Sequence, residues 1–363
     1  MKNKAIIFGL AILALLFISC EEGPSGIFYR VAHEKPLYQN QTKGLIGSIP
    51  AFVARLESTN YLGSGQLWSK ADGSNTWTVS SSLPESVQGK SYFALSGVTV
   101  DSELYILFKD TNALDLGVFS FDESEWSSIA IPTGQSAQKL LSANNQLFLA
   151  TTNNNACSLF YLNSSNVFVS AGATVQGSTV IGLPNSVAWD GANYWFTAGK
   201  SLLSGSITNI TSVTSPSTAI LGGIAAQGTS LVLSDKSGKL YASTDGTSWT
   251  AKAVDLNLSF TEPVFYDSSN MVVGTDAQPR SANDLPRASG YKEFTLSGTT
   301  LTEATASDLT DTTNFASSLA DQKVSSMALI DMGSKKVLYA LTYGDGLWAN
   351  YFDGSKWSQW LRE

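Results

Sequence analysis

The chain has 363 residues, of which 43% are apolar and only 14% charged, against about 25% charged in ordinary soluble domains. Two Cys and one His exclude a disulfide-stapled scaffold and any multi-cysteine or multi-histidine metal centre, and they leave little room for catalysis by a buried histidine base. With 22 basic against 30 acidic residues the basic footprint of a nucleic-acid binder is missing, so no nucleic-acid partner is expected.

Lys2 and Lys4 precede an apolar run from Ala5 to Ile18, which Ser19 and Cys20 close. A charged start and an apolar stretch too short for a permanent span read as an export signal. Leu16-Phe17-Ile18-Ser19-Cys20 resembles the lipobox of bacterial lipoproteins. That resemblance implies cleavage before Cys20, acylation of its thiol and a membrane partner reached through the lipid. Each buried methylene would contribute about 0.8 kcal/mol to such an anchor. Glu21 stands where an Asp retains enterobacterial lipoproteins in the inner membrane. The expected place is therefore the cell envelope, at the outer membrane, facing either the periplasm or the outside. Glu21 to Gly26 reads as a tether, and Ile27 to Val31 as a strand-like segment. His33, beside Glu34 in a polar stretch, reads as a solvated or hydrogen-bonded side chain rather than a catalytic one. Cys157 lies in an apolar strand pattern and reads as an inert core thiol.

Internal repetition organises the rest. Leu67-Trp68 is followed by Asp72-Gly73 and Trp77; Val118-Phe119 by Asp122 and Trp126; Leu159-Phe160 by Asn163 and Phe168. The same order returns as Leu240-Tyr241, Asp245-Gly246, Trp249, and as Leu347-Trp348, Asp353-Gly354, Trp357. Each copy reads as strand, Asx turn, strand, because Asp and Asn bond the backbone of a tight turn and Gly supplies positive φ. Weaker copies run from Leu203 to Ile210 and from Phe294 to Leu301. A second register interrupts apolar runs at Asp101, Asn144, Asp190, Gln227, Asp267 and Asp331. Units of about 40–55 residues with four short strands each are the signature of a β-propeller. The expected fold is all-β, with seven four-stranded blades. Small residues at Gly222-Gly223-Ile224-Ala225-Ala226 and Ser325-Ser326-Met327-Ala328 suit innermost strands, where blades converge. The expected division is a signal peptide over 1–19, a lipid-anchored tether and strand segment over 20–44, and the propeller over 45–363.

Tyr241 to Trp249 resembles an Asp-box of the BNR/sialidase-like propellers, with one residue fewer between Asp245 and Gly246. The turns at Asp72 and at Asp353, the latter followed by Trp357, are looser copies. Asp-boxes are structural elements, so the resemblance bears on fold and not on activity. A sialidase would need an arginine triad and an Asp acid/base. The Arg residues after Cys20 are Arg30, Arg55, Arg280, Arg287 and Arg362, none in that family's Arg-Ile-Pro setting. The expected inner strands are nearly free of Arg, Glu and Lys. Asp101, Asp190, Asp267 and Asp331 recur at one turn of successive blades, as turn chemistry requires. A phosphate-binding Gly loop, a nucleophile elbow and a zinc motif are absent, so no cofactor and no catalytic residue is assigned.

Two long connections remain. In blade six the link between second and third strands holds Asp276, Arg280 and Arg287; the link onward to blade seven, about Thr305 to Lys323, carries Asp308, Asp311 and Phe315. Loops beyond the ~4–6-residue median are usually functional or disordered. Asp276, Arg280 and Arg287 are thus the candidate contacts to a ligand or partner. The expected function is a non-catalytic binding or scaffold protein of the envelope with a protein or glycan partner. The alternative is a carbohydrate-active enzyme or glycan receptor of the sialidase-like type, for which Trp360 is the least accounted-for aromatic.

Overall fold

The computed structural model describes residues 49–154, 156–174, 182–254, 258–277, 290–304, 309, 319, 322–344 and 346–363. Seven antiparallel sheets, each of four strands consecutive in sequence, make up the blades, as the repeat spacing predicts. The first strands are Phe52–Leu56, Tyr92–Val100, Ser136–Ala143, Pro184–Trp189, Leu221–Gln227, Leu258–Phe265 and Val324–Asp331. First strands of successive blades lie against one another, so they line the axis. The described residues contain no α-helix.

Burial explains why the ring forms. A small twisted sheet cannot cover both of its faces, and here the apolar clusters sit between blades. Tyr61 and Leu67 of blade one pack with Ile106, Phe108 and Phe119 of blade two. The remaining five gaps between consecutive blades are filled in the same way. Blade one closes on blade seven through Val53, Leu62, Trp68 and Trp77 against Val337, Tyr339, Leu341 and Leu347. Among the described residues no strand is shared across this last gap. Polar contacts reinforce it instead: the Glu363 carboxylate accepts from Lys70 Nζ, Tyr351 Oη and Trp77 Nε1, the last at 2.8 Å.

Both sequence registers fall on turns. Asp101, Asn144, Asp190, Gln227, Asp267 and Asp331 end or follow the first strands. The late aromatics open or adjoin the fourth strands and pack against the preceding blade, as Trp77 does on Tyr339 and Trp249 on Trp195. Blade seven departs from expectation. Trp357 makes only an isolated bridge with Phe352, and the fourth strand is Leu361–Arg362. The cause is local: Ser358 Oγ takes the Tyr351 N–H (2.9 Å) that a continuous ladder would use. Trp360 is not a spare surface aromatic. It is buried between blades six and seven, 5.3 Å from the Tyr291 ring.

Cys157 differs from a fully buried core thiol. It is half-buried on the third strand of blade three, and partial burial pushes its pKa up, which keeps the thiol protonated and unreactive. The signal peptide, Cys20, His33 and the tether segment, 1–19 and 20–44, lie outside the described residues, as do Asp308, Asp311 and Phe315.

Candidate functional site

An antiparallel meander puts the start of each first strand, the second-to-third connections and the links between blades on one side, the loop face. First-to-second and third-to-fourth turns occupy the opposite, turn face. On the turn face the Asp side chains are spent on backbone. Asp245 Oδ1 accepts from the N–H groups of Thr247 (2.8 Å) and Ser248 (2.7 Å). Asp353 Oδ1 accepts from Ser355 (2.8 Å) and Lys356 (3.0 Å), and Asp122 Oδ1 from Ser124 and Glu125, both at 2.9 Å. These bonds to the ionised form hold Asp122 and Asp353 down at about 2 and Asp245 lower still. Asp190 and Asp267 cap their turns alike. Asp72 is different: its carboxylate grips Arg55 through two bonds, at 2.8 and 2.6 Å. Gly246 combines φ +70° with a Trp195 ring that would lie 2.1 Å from any added Cβ, so blade five needs glycine there.

Near the loop face the axial wall is built from β-bulges. Six of the seven first strands carry one, where two residues oppose one on the second strand. The extra residues are Leu95, Gln138, Asn185, Gly222 and Ser325, with Thr261-Glu262 opposing Gly274 in blade six. Bulges re-aim side chains, and here they stitch blades together. Ser96 Oγ accepts from Leu140 N–H (3.0 Å) and donates to its carbonyl (3.2 Å). Ser186 Oγ likewise accepts from Ile224 N–H at 3.0 Å.

The first strands contain four charged residues, Arg55, Lys139, Glu262 and Asp331. Arg55 is committed to Asp72, and Asp331 pairs with Lys336 beside its turn. The other two belong to the bulge ring. Glu262 crosses the blade-five strand, where Gly223 leaves room for it, and its carboxylate accepts from Ser186 Oγ at 2.8 Å. Lys139 Nζ donates to the Asn185 carbonyl at 2.6 Å. Burial raises the Glu262 pKa and lowers that of Lys139, and each charge partly offsets the other's shift. The wall is thus nearly free of charge, as expected, but its two exceptions converge on blade four from opposite sides. Sequence reading missed this pair. Its available signal was a Lys and a Glu inside strands otherwise neutral on both faces.

Asp276, at the loop-face end of the second strand of blade six, sits among cations and a phenol. Lys323 Nζ approaches it at 3.4 Å. Its charge also acts on Lys236, whose pKa burial lowers, and on Tyr343, whose pKa burial raises. Gly290 N–H donates to the Gln322 carbonyl (3.2 Å), which joins the ends of the two long connections on one face. Arg280 and Arg287 lie outside the described residues. Exposed large apolar side chains collect on this same face: Ile49, Phe93, Leu95, Leu114, Ile220 and Tyr343, from 37% exposed at Leu95 to 65% at Leu114. Elsewhere only Val79, Val167 and Val169 are comparably exposed among the described residues. Five of these, Tyr343 on blade seven, Ile49 ahead of blade one, and Phe93, Leu95 and Leu114 on blade two, form an apolar crescent beside the Asp276–Lys323 pair, and Ile220 stands apart before blade five. At the other end of the axis an open depression of about 420 Å³ is lined by Arg55, Glu57, Ser102, Ser142 and Asp331.

No family model matches the chain, and no curated protein matches it in sequence. Solved structures do match it in fold. YCF48 bound to D1 peptide aligns with a TM-score of 0.56 at 12% identity, over 85% of this chain and 93% of that one. The extracellular domain of a hybrid two-component system from B. thetaiotaomicron gives 0.57 at 13%, over 85% of this chain and 39% of its own. An ancestral GH74 enzyme gives 0.59 at 13%, over 85% and 48%. At these identities the likeness concerns architecture: the chain is a seven-bladed β-propeller, a fold these proteins of different activities share.

Proposed function

We propose that this protein is a lipid-anchored β-propeller of the cell envelope that binds a polypeptide partner on its loop face and performs no catalysis. The observation that carries the binding reading is the concentration of exposed apolar side chains on that face, next to the Asp276–Lys323 pair. Monomeric proteins rarely expose such residues together without a partner to cover them. A peptide-bound neighbour, YCF48, supports polypeptide as the ligand class. Asp276, Arg280 and Arg287 belong to the proposed contact. The anchor rests on Lys2, Lys4, the apolar run to Ile18 and Cys20, with the outer membrane as the proposed home. The Asp-box reading of blades one, five and seven is kept as a structural one.

A glycoside hydrolase is the competing reading, since a GH74 enzyme shares the fold. Such enzymes use two carboxyl groups about 5–9.5 Å apart across the bond they cut. The bulge ring brings one, Glu262, and ties it to Ser186 beside Lys139. The deciding experiment replaces Phe93, Leu114 and Tyr343 by Ser and follows crosslinking in intact cells by mass spectrometry. A partner lost with the apolar crescent supports the proposal; a partner retained by the triple variant overturns it. Release of Cys20→Ala protein from the membrane fraction tests the anchor separately.

A further inference from the structure

A second recognition site is built into the turn face, between blades six and seven. A cleft of about 270 Å³ there is lined by Tyr266, Asp267, Lys336, Phe352, Lys356 and Trp357, together with Ser355. The Trp357 ring lines it, set edge-to-face against Tyr266 at 5.6 Å and tilted on Phe352 at 5.3 Å. The turn that carries it is held by Asp353.

Comparison with the other blades singles this tryptophan out. Trp77, Trp126 and Trp249 occupy the same place after their turns, and each donates its indole N–H to protein: to Glu363, to Ser82 Oγ at 3.0 Å and to the Gly246 carbonyl at 3.2 Å. Trp357 is half-buried, and its N–H has no partner among the described residues, nor is it sealed from solvent. The Lys356 ammonium is exposed and likewise lacks a hydrogen-bond or ion-pair partner among the described residues. Lys336 is committed, to the Tyr266 carbonyl at 3.1 Å and to Asp331 at 3.2 Å. Asp267 uses one oxygen for the Ser269 and Asn270 N–H groups and the other for Asn270 Nδ2 at 2.8 Å. A carboxylate oxygen accepts more than one bond, so capacity remains there.

We propose that this cleft binds one neutral hexopyranose unit of a glycan. The space is smaller than the ~300 Å³ at which drug-sized sites begin, and so of monosaccharide size. An aromatic ring accepts the apolar face of a sugar, while its N–H and a neighbouring ammonium donate to hydroxyls. Asp267 accepts from another hydroxyl. Asp267 lines the cleft together with Lys336 and Lys356, and the Lys336 charge is paired with Asp331, so nothing selects a net anionic ligand. The site lies on the face opposite the apolar crescent, and it stands whether or not that crescent binds a polypeptide.

The test is saturation-transfer NMR on the folded protein with methyl β-glucoside, methyl β-galactoside and methyl α-mannoside, and with glucuronate as the charged arm. At least one neutral glycoside is expected to bind with a dissociation constant of about 1–10 mM, as suits a single ring contact and a few hydrogen bonds. Trp357→Phe keeps a wedge between the blades but loses the N–H, and should weaken binding at least about tenfold, while Trp249→Phe should leave it unchanged. Lys356→Ala, at an exposed position, gives the same reading through a variant that cannot disturb the core, with a loss of about threefold or more. No saturable binding of any neutral glycoside, binding of glucuronate alone, or binding that survives both Trp357→Phe and Lys356→Ala would overturn the site.

Discussion

The polar contacts that close blade one on blade seven make a quantitative prediction at Glu363. Its carboxylate is the common acceptor for Lys70, Tyr351 and Trp77, and the Lys70 and Glu363 side chains are only 10% and 6% exposed. Glu363→Gln keeps the shape of the side chain and removes its charge, which leaves the Lys70 ammonium buried beside an amide. Breaking a buried pair from one side costs about 3–5 kcal/mol, far more than the ~0–1 kcal/mol of a surface pair. In a domain of this size each kcal/mol moves the melting temperature by about 2 °C, so a fall of roughly 6–10 °C is expected. Because the pair is shielded, the loss should persist at high salt. Lys70→Met combined with Glu363→Gln removes the stranded ammonium and should recover most of the difference. Scanning calorimetry on the two single variants and the double closes the cycle. A fall below about 2 °C for Glu363→Gln, or a double variant as unstable as the sum of the singles, would refute the closure described here.

Three further outcomes follow from named contacts. Asp122 and Asp353 ionise at about 2 in the folded protein, below the ordinary 3.8, so their stabilisation is complete above about pH 4 and lost as pH falls toward 2; replacing both and Asp245 by Asn should flatten that limb of a melting-temperature profile, and an unchanged limb would contradict it. Gly246→Ala should lose about 2–4 kcal/mol in urea unfolding, from a Cβ forced against Trp195 at positive φ, whereas a loss under about 1 kcal/mol would mean that ring moves freely. Ser96→Ala and Ser186→Ala should each cost about 1–3 kcal/mol by stranding the Leu140 and Ile224 backbone groups, with Ser186→Ala the larger because Glu262 loses its donor. Equal losses would deny Glu262 a part in the bulge ring.

How much of this was legible beforehand depended on the range of the interaction involved. Turn chemistry is local, so Asp190 and Asp267 mark first-to-second turns in the sequence as they do in the fold. The late aromatics mark fourth strands because a wedge between blades must be large wherever the gap is wide. Trp357 misled on this point: the Ser358 hydroxyl interrupts its ladder, a side-chain event that strand periodicity does not encode. Asp72 misled in the same way, since an Arg55 on a different strand claims its carboxylate. The bulge ring was invisible, because a bulge is a relation between two strands. Lys139 and Glu262 become neighbours only once blades three, four, five and six are closed around an axis. For the loop face, the sequence pointed to Asp276 through loop length. The apolar crescent escaped notice because Phe93 and Leu95 look like core residues of a strand, and only the ring's geometry turns them outward.

Site-specific photo-crosslinking in intact cells tests the binding face most directly. A photoreactive residue placed at Leu114, Ile220 or Tyr343 samples the loop face, and one at Glu123 or Thr299 samples the turn face; the first four are exposed and Thr299 is half-buried in its turn. The account predicts that the three loop-face positions capture one and the same polypeptide, that the two turn-face positions do not, and that Phe93→Ser with Asp276→Ala abolishes the capture. Capture of that polypeptide from Glu123 or Thr299, with none from Leu114, Ile220 and Tyr343, would contradict it.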